Sequence, residues 1–132
     1  MCDYFEHWLS MGARMKNPPK IFNVNWFRTD ESGNYIWPGF GDNLRVIDWI
    51  LRRCDGTVDA QETPIGYMPY PRDIDLTGTD VTVEQLASIL DVDKIGWYYE
   101  ADDIAHFYSK FGDKLPVKLA KQLRTLKKNL KE

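Results

Sequence analysis

Between Asn25 and Asn43 the chain gathers residue types suited to holding a flat ligand. The segment reads Asn25-Trp26-Phe27-Arg28, then Tyr35-Ile36-Trp37-Pro38-Gly39-Phe40-Gly41-Asp42-Asn43. Aromatic rings stack on flat faces. Glycines let a backbone approach closely, and a helix start offers N–H groups without helical partners. A purine base asks for these features: apolar walls above and below, donors or acceptors at its edge, and a near backbone. Phe27 and Phe40 are the candidate walls, with Tyr35 covering the ring edge. Stacking of a base on an aromatic ring is worth roughly 1–3 kcal/mol.

The edge decides which purine fits. Guanine presents the acceptor O6 beside donors at N1 and N2. Backbone N–H groups near Asn43 would donate to O6, and the Asn43 side chain carries both a carbonyl and an amide. Adenine has an amine where guanine has O6. It would set donor against donor and leave buried groups unpaired, at about 1–3 kcal/mol. The arrangement therefore favours guanine. By spacing alone a second reading stays open, in which the aromatics are core and Asn43 only starts a helix.

Several elements must position this loop. Residues 21–27 alternate as a strand, with Phe22, Val24 and Trp26 on one face and Asn23, Asn25 and Phe27 on the other. This turns Trp26 to the core and leaves Phe27 on a polar face, or in a second core layer. A turn at 31–34 and a short strand at 35–37 complete a hairpin. A helix follows from Asp42 to the stop at Gly56, with an apolar stripe of Val46, Ile47, Ile50, Leu51 and Cys54. Upstream, residues 3–15 read as a helix capped by Asp3, with Tyr4, Phe5, Trp8, Leu9 and Met15 at helical spacing. Residues 57–81 read mostly as loop, with a short edge strand at 64–69. Thr82 with Gln85 makes a capping box for a helix whose Val83, Leu86, Ile89 and Leu90 face inward. Asp91 is expected to cap the next helix, which carries Trp97, Ala101, Ile104 and Tyr108 and ends at Gly112. Leu115-Pro116 opens the last one, with leucines at 119, 123, 126 and 130.

The expected fold class is α+β, mainly helical with a small hairpin. It forms a single domain over 1–132, with a base-binding hairpin and loop at 20–56 and a helical tail at 82–132. The 132 residues are enough for a real core. A net charge of −3 argues against a nucleic-acid partner. No apolar run is long enough to span a bilayer, no secretory signal is read, and Cys2 and Cys54 are too few for a disulfide framework. A cytoplasmic protein with reduced thiols and no membrane partner is expected.

The Trp37-Pro38-Gly39-Phe40-Gly41-Asp42-Asn43 run, with Asn25-Trp26-Phe27-Arg28 before it and Arg45-Val46 after it, resembles the guanine-binding segment of GTP-dependent phosphoenolpyruvate carboxykinases. The resemblance extends to Tyr4-Phe5-Glu6-His7-Trp8-Leu9-Ser10-Met11, Pro19-Lys20-Ile21-Phe22 and Thr63-Pro64-Ile65-Gly66-Tyr67. It covers residues 1–70 well and the helical tail in outline. It implies that Phe27 and Phe40 sandwich guanine, Tyr35 packs against it and Asn43 reads its edge. Position 35 is commonly Phe in the family. It also implies a parent reaction, oxaloacetate and GTP to phosphoenolpyruvate, GDP and carbon dioxide, in gluconeogenesis. That reaction uses Mn2+ or Mg2+, and the parent is expected to be a monomer. The phosphate loop, metal ligands and oxaloacetate-binding residues of the family lie upstream of the matching segment. No Gly-x-x-x-x-Gly-Lys-Ser/Thr run occurs here. The chain is therefore expected to be a C-terminal piece of such an enzyme. It would be inactive alone and would have the missing N-terminal part as a partner. The alternative is a structural or interaction module with a vestigial nucleotide site.

Other candidates are weaker. His7 and His106 lack neighbours at metal-ligand spacing, and Glu100, Asp102 and Asp103 do not share one helical face. The lysines after Lys114 read as a solvated helix face.

Overall fold

Where the chain carries capping side chains, helices start and stop at them. In the computed structural model, which describes all 132 residues, Thr82 and Gln85 form the reciprocal capping box that opens α3 (Val83–Leu90), at 3.2 and 2.8 Å. Asp93, and not Asp91, caps α4 (Lys94–Ser109); its carboxylate accepts from the N–H groups of Ile95 and Gly96, both at 3.0 Å. Asp91 instead closes α3 in an extended conformation. Gly56 ends α2 (Asn43–Asp55) with φ of 73°, a left-handed conformation natural to glycine. The first helix, α1 (Cys2–Arg14), starts one residue earlier than expected. Met1 occupies its cap position without a side-chain bond, and Asp3 lies inside the first turn. Pro116 sits at the cap position of α5 (Val117–Asn129).

The chain divides into two compact units: Lys20–Asp91, and Met1–Pro19 together with Val92–Glu132. α3, expected with the helical tail at 82–132, falls in the Lys20–Asp91 unit. In the unit formed by the two ends, α4 packs on α5. Ala101 and Leu130 are its buried apolar residues, and Phe5 meets Phe111 edge to face at 6.2 Å. Tyr4 and Trp8 are exposed, so the apolar face of α1 is narrower than its aromatic content suggested.

The Lys20–Asp91 unit carries the candidate site. Its core is Trp37, Trp49, Ile74, Val81 and Leu86, with Phe22, Trp26, Val46, Ile50, Ile89 and Leu90 packed around them. The inner stripe of α2 is Val46, Trp49 and Ile50, one step around the helix from the expected one. Ile47, Leu51 and Cys54 are exposed. Trp49, the largest apolar side chain on α2, has the most surface to remove from water.

The only sheet is an antiparallel pair, β1 (Gln61–Thr63) with β2 (Gly66–Met68), in the register Gln61↔Met68, Glu62↔Tyr67 and Thr63↔Gly66. It lies within the stretch read mostly as loop, with β2 inside the short edge strand expected at 64–69 and β1 ahead of it. The hairpin expected from residues 21–37 shrinks to a single bridge, Thr29↔Tyr35, and residues 21–27 are extended without being a strand. No neighbouring strand is present to pair them, so the alternation orients side chains without building a ladder. The fold is α+β and mainly helical, as the pattern implied.

Candidate functional site: an aromatic loop at the start of a helix

The alternation that failed to make a strand still sorts the side chains. Trp26 packs on the core, whereas Phe27 is 69% exposed. Arg28 holds this position. Its guanidinium donates to the carbonyls of Ile89 (2.7 Å) and Asp91 (3.1 Å) at the C-terminal end of α3, the negative end of the helix dipole. The turn that follows is tied by Asp30. Its carboxylate accepts from the N–H groups of Ser32 and Asn34, both at 2.9 Å. These bonds, that from Asn34 foremost, hold the Asp30 carboxyl below its ordinary value. The turn returns the chain so that Tyr35, 65% exposed, meets Phe27 at 5.9 Å between ring centroids, with the planes at 63°.

Beyond Tyr35 the chain dips into the core at Trp37, 5% exposed. It leaves through Gly39, whose φ of 105° and ψ of −150° belong to glycine. A single helical turn, Phe40–Asp42, leads into α2 and puts Phe40 at the surface, 95% exposed and paired with no other ring. Phe27 and Tyr35 are thus brought together, while Phe40 makes no ring pair with either.

Asn43 is the first residue of α2, and its environment is specific. The Trp37 indole N–H donates to its Oδ1 at 2.9 Å. An indole N–H is only a donor, so the Asn43 oxygen must face it and the Nδ2 amide must face away. Asn43 therefore offers a ligand donors from its side chain. Its own backbone N–H is spent on the Phe40 carbonyl, and that of Asp42 on Gly39. The Phe40 and Gly41 N–H groups, just upstream of Asn43, donate to no backbone carbonyl. The Asp42 carboxylate is held aside by Arg45, whose Nε donates to it at 2.8 Å. The Arg45 Nη1 and Nη2 donate to the carbonyls of Asp75 (2.7 Å) and Thr77 (2.9 Å). The Thr77 hydroxyl and N–H, with Arg45 nearby, keep the Asp75 carboxyl below its ordinary value.

Trp37 and Arg45 are the residues that reasoning from spacing passed over. The Asp42–Arg45 pair carried a signal in its i,i+3 spacing. The Trp37–Asn43 bond crosses an irregular loop and carried none.

A scan of family models matches residues 1–129 to the phosphoenolpyruvate carboxykinase C-terminal P-loop domain. The chain belongs to the GTP-dependent phosphoenolpyruvate carboxykinase family. It is similar to the phosphoenolpyruvate carboxykinase [GTP] of Treponema pallidum (strain Nichols), 48% identical over 129 residues, which are 96% of this chain and 21% of that protein. The enzyme of the same name from Chlamydia muridarum is 45% identical over 132 residues, 99% of this chain and 22% of its own. That of Renibacterium salmoninarum is 45% identical over 130 residues, 97% and 21%. The chain thus spans about a fifth of the length of these carboxykinases. No three His, Cys, Asp or Glu side chains come together to hold a metal ion. The divalent metal expected of a carboxykinase therefore finds no fitting donor set among the side chains of this chain. His7 and His106 are exposed on α1 and α4, and Asp102 is ion-paired with Lys127 at 2.5 Å. No helix is long and apolar enough to cross a membrane.

Proposed function

We propose that this chain supplies guanine-base recognition to a GTP-dependent phosphoenolpyruvate carboxykinase, the chemistry belonging to residues outside it. The observation that carries the reading is the orientation of Asn43. With Oδ1 engaged by Trp37, the side chain presents amide donors, which suit guanine O6 and oppose the adenine amine. Phe40 and the Phe27–Tyr35 pair, all exposed, offer rings on which a base stacks. Removing such rings from water gives the loop a reason to bind a flat ligand, since their burial is favourable once a partner covers them.

In this reading the nucleotide is GTP or GDP, and the parent reaction converts oxaloacetate and GTP to phosphoenolpyruvate, GDP and carbon dioxide in gluconeogenesis. The phosphates, the divalent metal and oxaloacetate would be held by the rest of such an enzyme, the natural partner of this surface. The chain alone therefore binds guanine nucleotides weakly and does not catalyse. The expected location is the cytoplasm.

The test is quenching of intrinsic tryptophan fluorescence by GTP and by ATP. The reading expects saturable, GTP-selective quenching that disappears in Asn43→Asp, whose carboxylate still accepts from Trp37 but has no amide to donate. Equal, non-saturating responses to both nucleotides would refute it. They would favour a structural module with a vestigial site.

A further inference from the structure

We propose that Trp37 is a specificity-determining positioning residue, whose indole N–H locks the Asn43 amide in the orientation that accepts guanine and rejects adenine. This rests on the base-slot reading above and deepens it. An asparagine amide turns about a broad, two-fold torsion. Left free, Asn43 could offer Nδ2 to guanine O6 or Oδ1 to the adenine amine, and would discriminate poorly. Trp37 removes that freedom. Its ring is buried with Trp49, Ile74, Val81 and Leu86, so the indole cannot follow a turning amide. Its N–H reaches Asn43 Oδ1 at 2.9 Å. A flipped Asn43 would aim an N–H donor at the indole donor and leave both unpaired.

Burial alone does not produce this bond. Trp49, in the same core cluster, has no hydrogen-bond partner for its indole nitrogen. Trp37 acts at one remove: it need not touch the base, and it sets which atoms of Asn43 do.

The experiment compares binding of GDP, IDP and ADP to the full 132-residue chain, wild type and Trp37→Phe, by nuclear magnetic resonance titration. Phenylalanine keeps a buried ring but has no donor. The guanine-over-adenine preference is expected to fall at least about fivefold, the equivalent of one ordinary hydrogen bond. ADP should gain, and GDP and IDP, which share O6, should change together. A purely structural role would weaken all three alike and leave the ratios unmoved, and that result overturns the proposal. If wild-type chain does not prefer GDP and IDP to ADP, the base-slot reading fails and takes this inference with it. If wild type discriminates and Trp37→Phe discriminates equally, only the role of Trp37 fails. A second measurement serves should Trp37→Phe not fold. In Asn43→Ala the Trp37 indole proton, deprived of its acceptor, should shift and exchange faster with solvent. An unchanged indole resonance would equally overturn the proposal.

Discussion

Replacing Phe40 with alanine separates binding from folding more cleanly than any other change in this chain. The ring is 95% exposed and meets no other aromatic side chain. Its loss therefore removes almost no buried surface, and stability should change by less than about 0.5 kcal/mol. If the ring is one wall of a base slot, the same substitution removes roughly 1–3 kcal/mol of stacking. That is a loss of about five- to 150-fold in affinity for GDP. The assay pairs urea unfolding, followed by far-ultraviolet circular dichroism, with a GDP titration of the same preparation. Unchanged unfolding with weakened GDP binding is expected. An unfolding free energy lowered by more than about 1.5 kcal/mol would show that the ring is packed in solution. An unaltered GDP titration would show that the ring is no wall. Either result refutes the reasoning.

Arg45→Lys should destabilise the chain by about 1.5–3 kcal/mol, because a lysine cannot reproduce a fork that bonds Asp42, Asp75 and Thr77 at once; a urea midpoint equal to wild type would contradict this. Asp93→Ala removes the acceptor for two N–H groups of α4 and should cost about 0.5–2 kcal/mol, read as faster amide exchange at Ile95 and Gly96. Stability should also fall in acid. Asp30, Asp75 and Glu84 all have carboxyls below their ordinary values: Asp30 through the Asn34 N–H first, Asp75 through the Thr77 hydroxyl, Glu84 through its own N–H. Their folded forms bind protons less readily than the unfolded chain. Their contribution is therefore complete above the ordinary carboxylate range, near pH 4, and is lost as the pH falls through the lower folded values. Melting temperatures between pH 7 and 3 should show that decline, and Asp30→Ala should reduce it.

How much of this was legible in the sequence depends on how local each signal is. The Thr82–Gln85 capping box and the left-handed stop at Gly56 involve neighbours within one turn, and both stand as read. The inward Trp26 and outward Phe27 follow from the pleat of any extended chain, with or without a sheet. Pairing is not local. Residues 21–27 had the pattern of a strand, but the returning segment is spent on a turn and a plunge into the core; they pair with nothing, and one bridge forms beyond them at Thr29↔Tyr35. The choice of Asp93 over Asp91 as a cap turned on the backbone: Asp91 still belongs to the end of α3, where its N–H donates to the Ser88 carbonyl, which leaves Asp93 at the start of α4. The candidate site residues Phe27, Tyr35, Phe40 and Asn43 were legible as types in a cluster. What was not legible was the bond from Trp37 that gives Asn43 its direction.

That bond belongs to a wider arrangement. The segment from Phe27 to Asn43 has almost no regular structure, yet it is fastened at four points. Arg28 grips the end of α3, Asp30 closes the turn, Trp37 enters the core and Arg45 ties the start of α2 to residues 75–77. Three of the four use side chains to satisfy main-chain groups, replacing the ladder that a sheet would have provided. The backbone is thus held while Phe27, Tyr35 and Phe40 stay uncovered. Pre-ordering a loop in this way lowers the entropy that binding must overcome. A slot whose edge is fixed by Trp37 and whose walls stay free to close would take its selectivity from the edge and its affinity from the rings. Substitutions at the anchors should then alter which base binds, and substitutions at the rings how tightly any base binds.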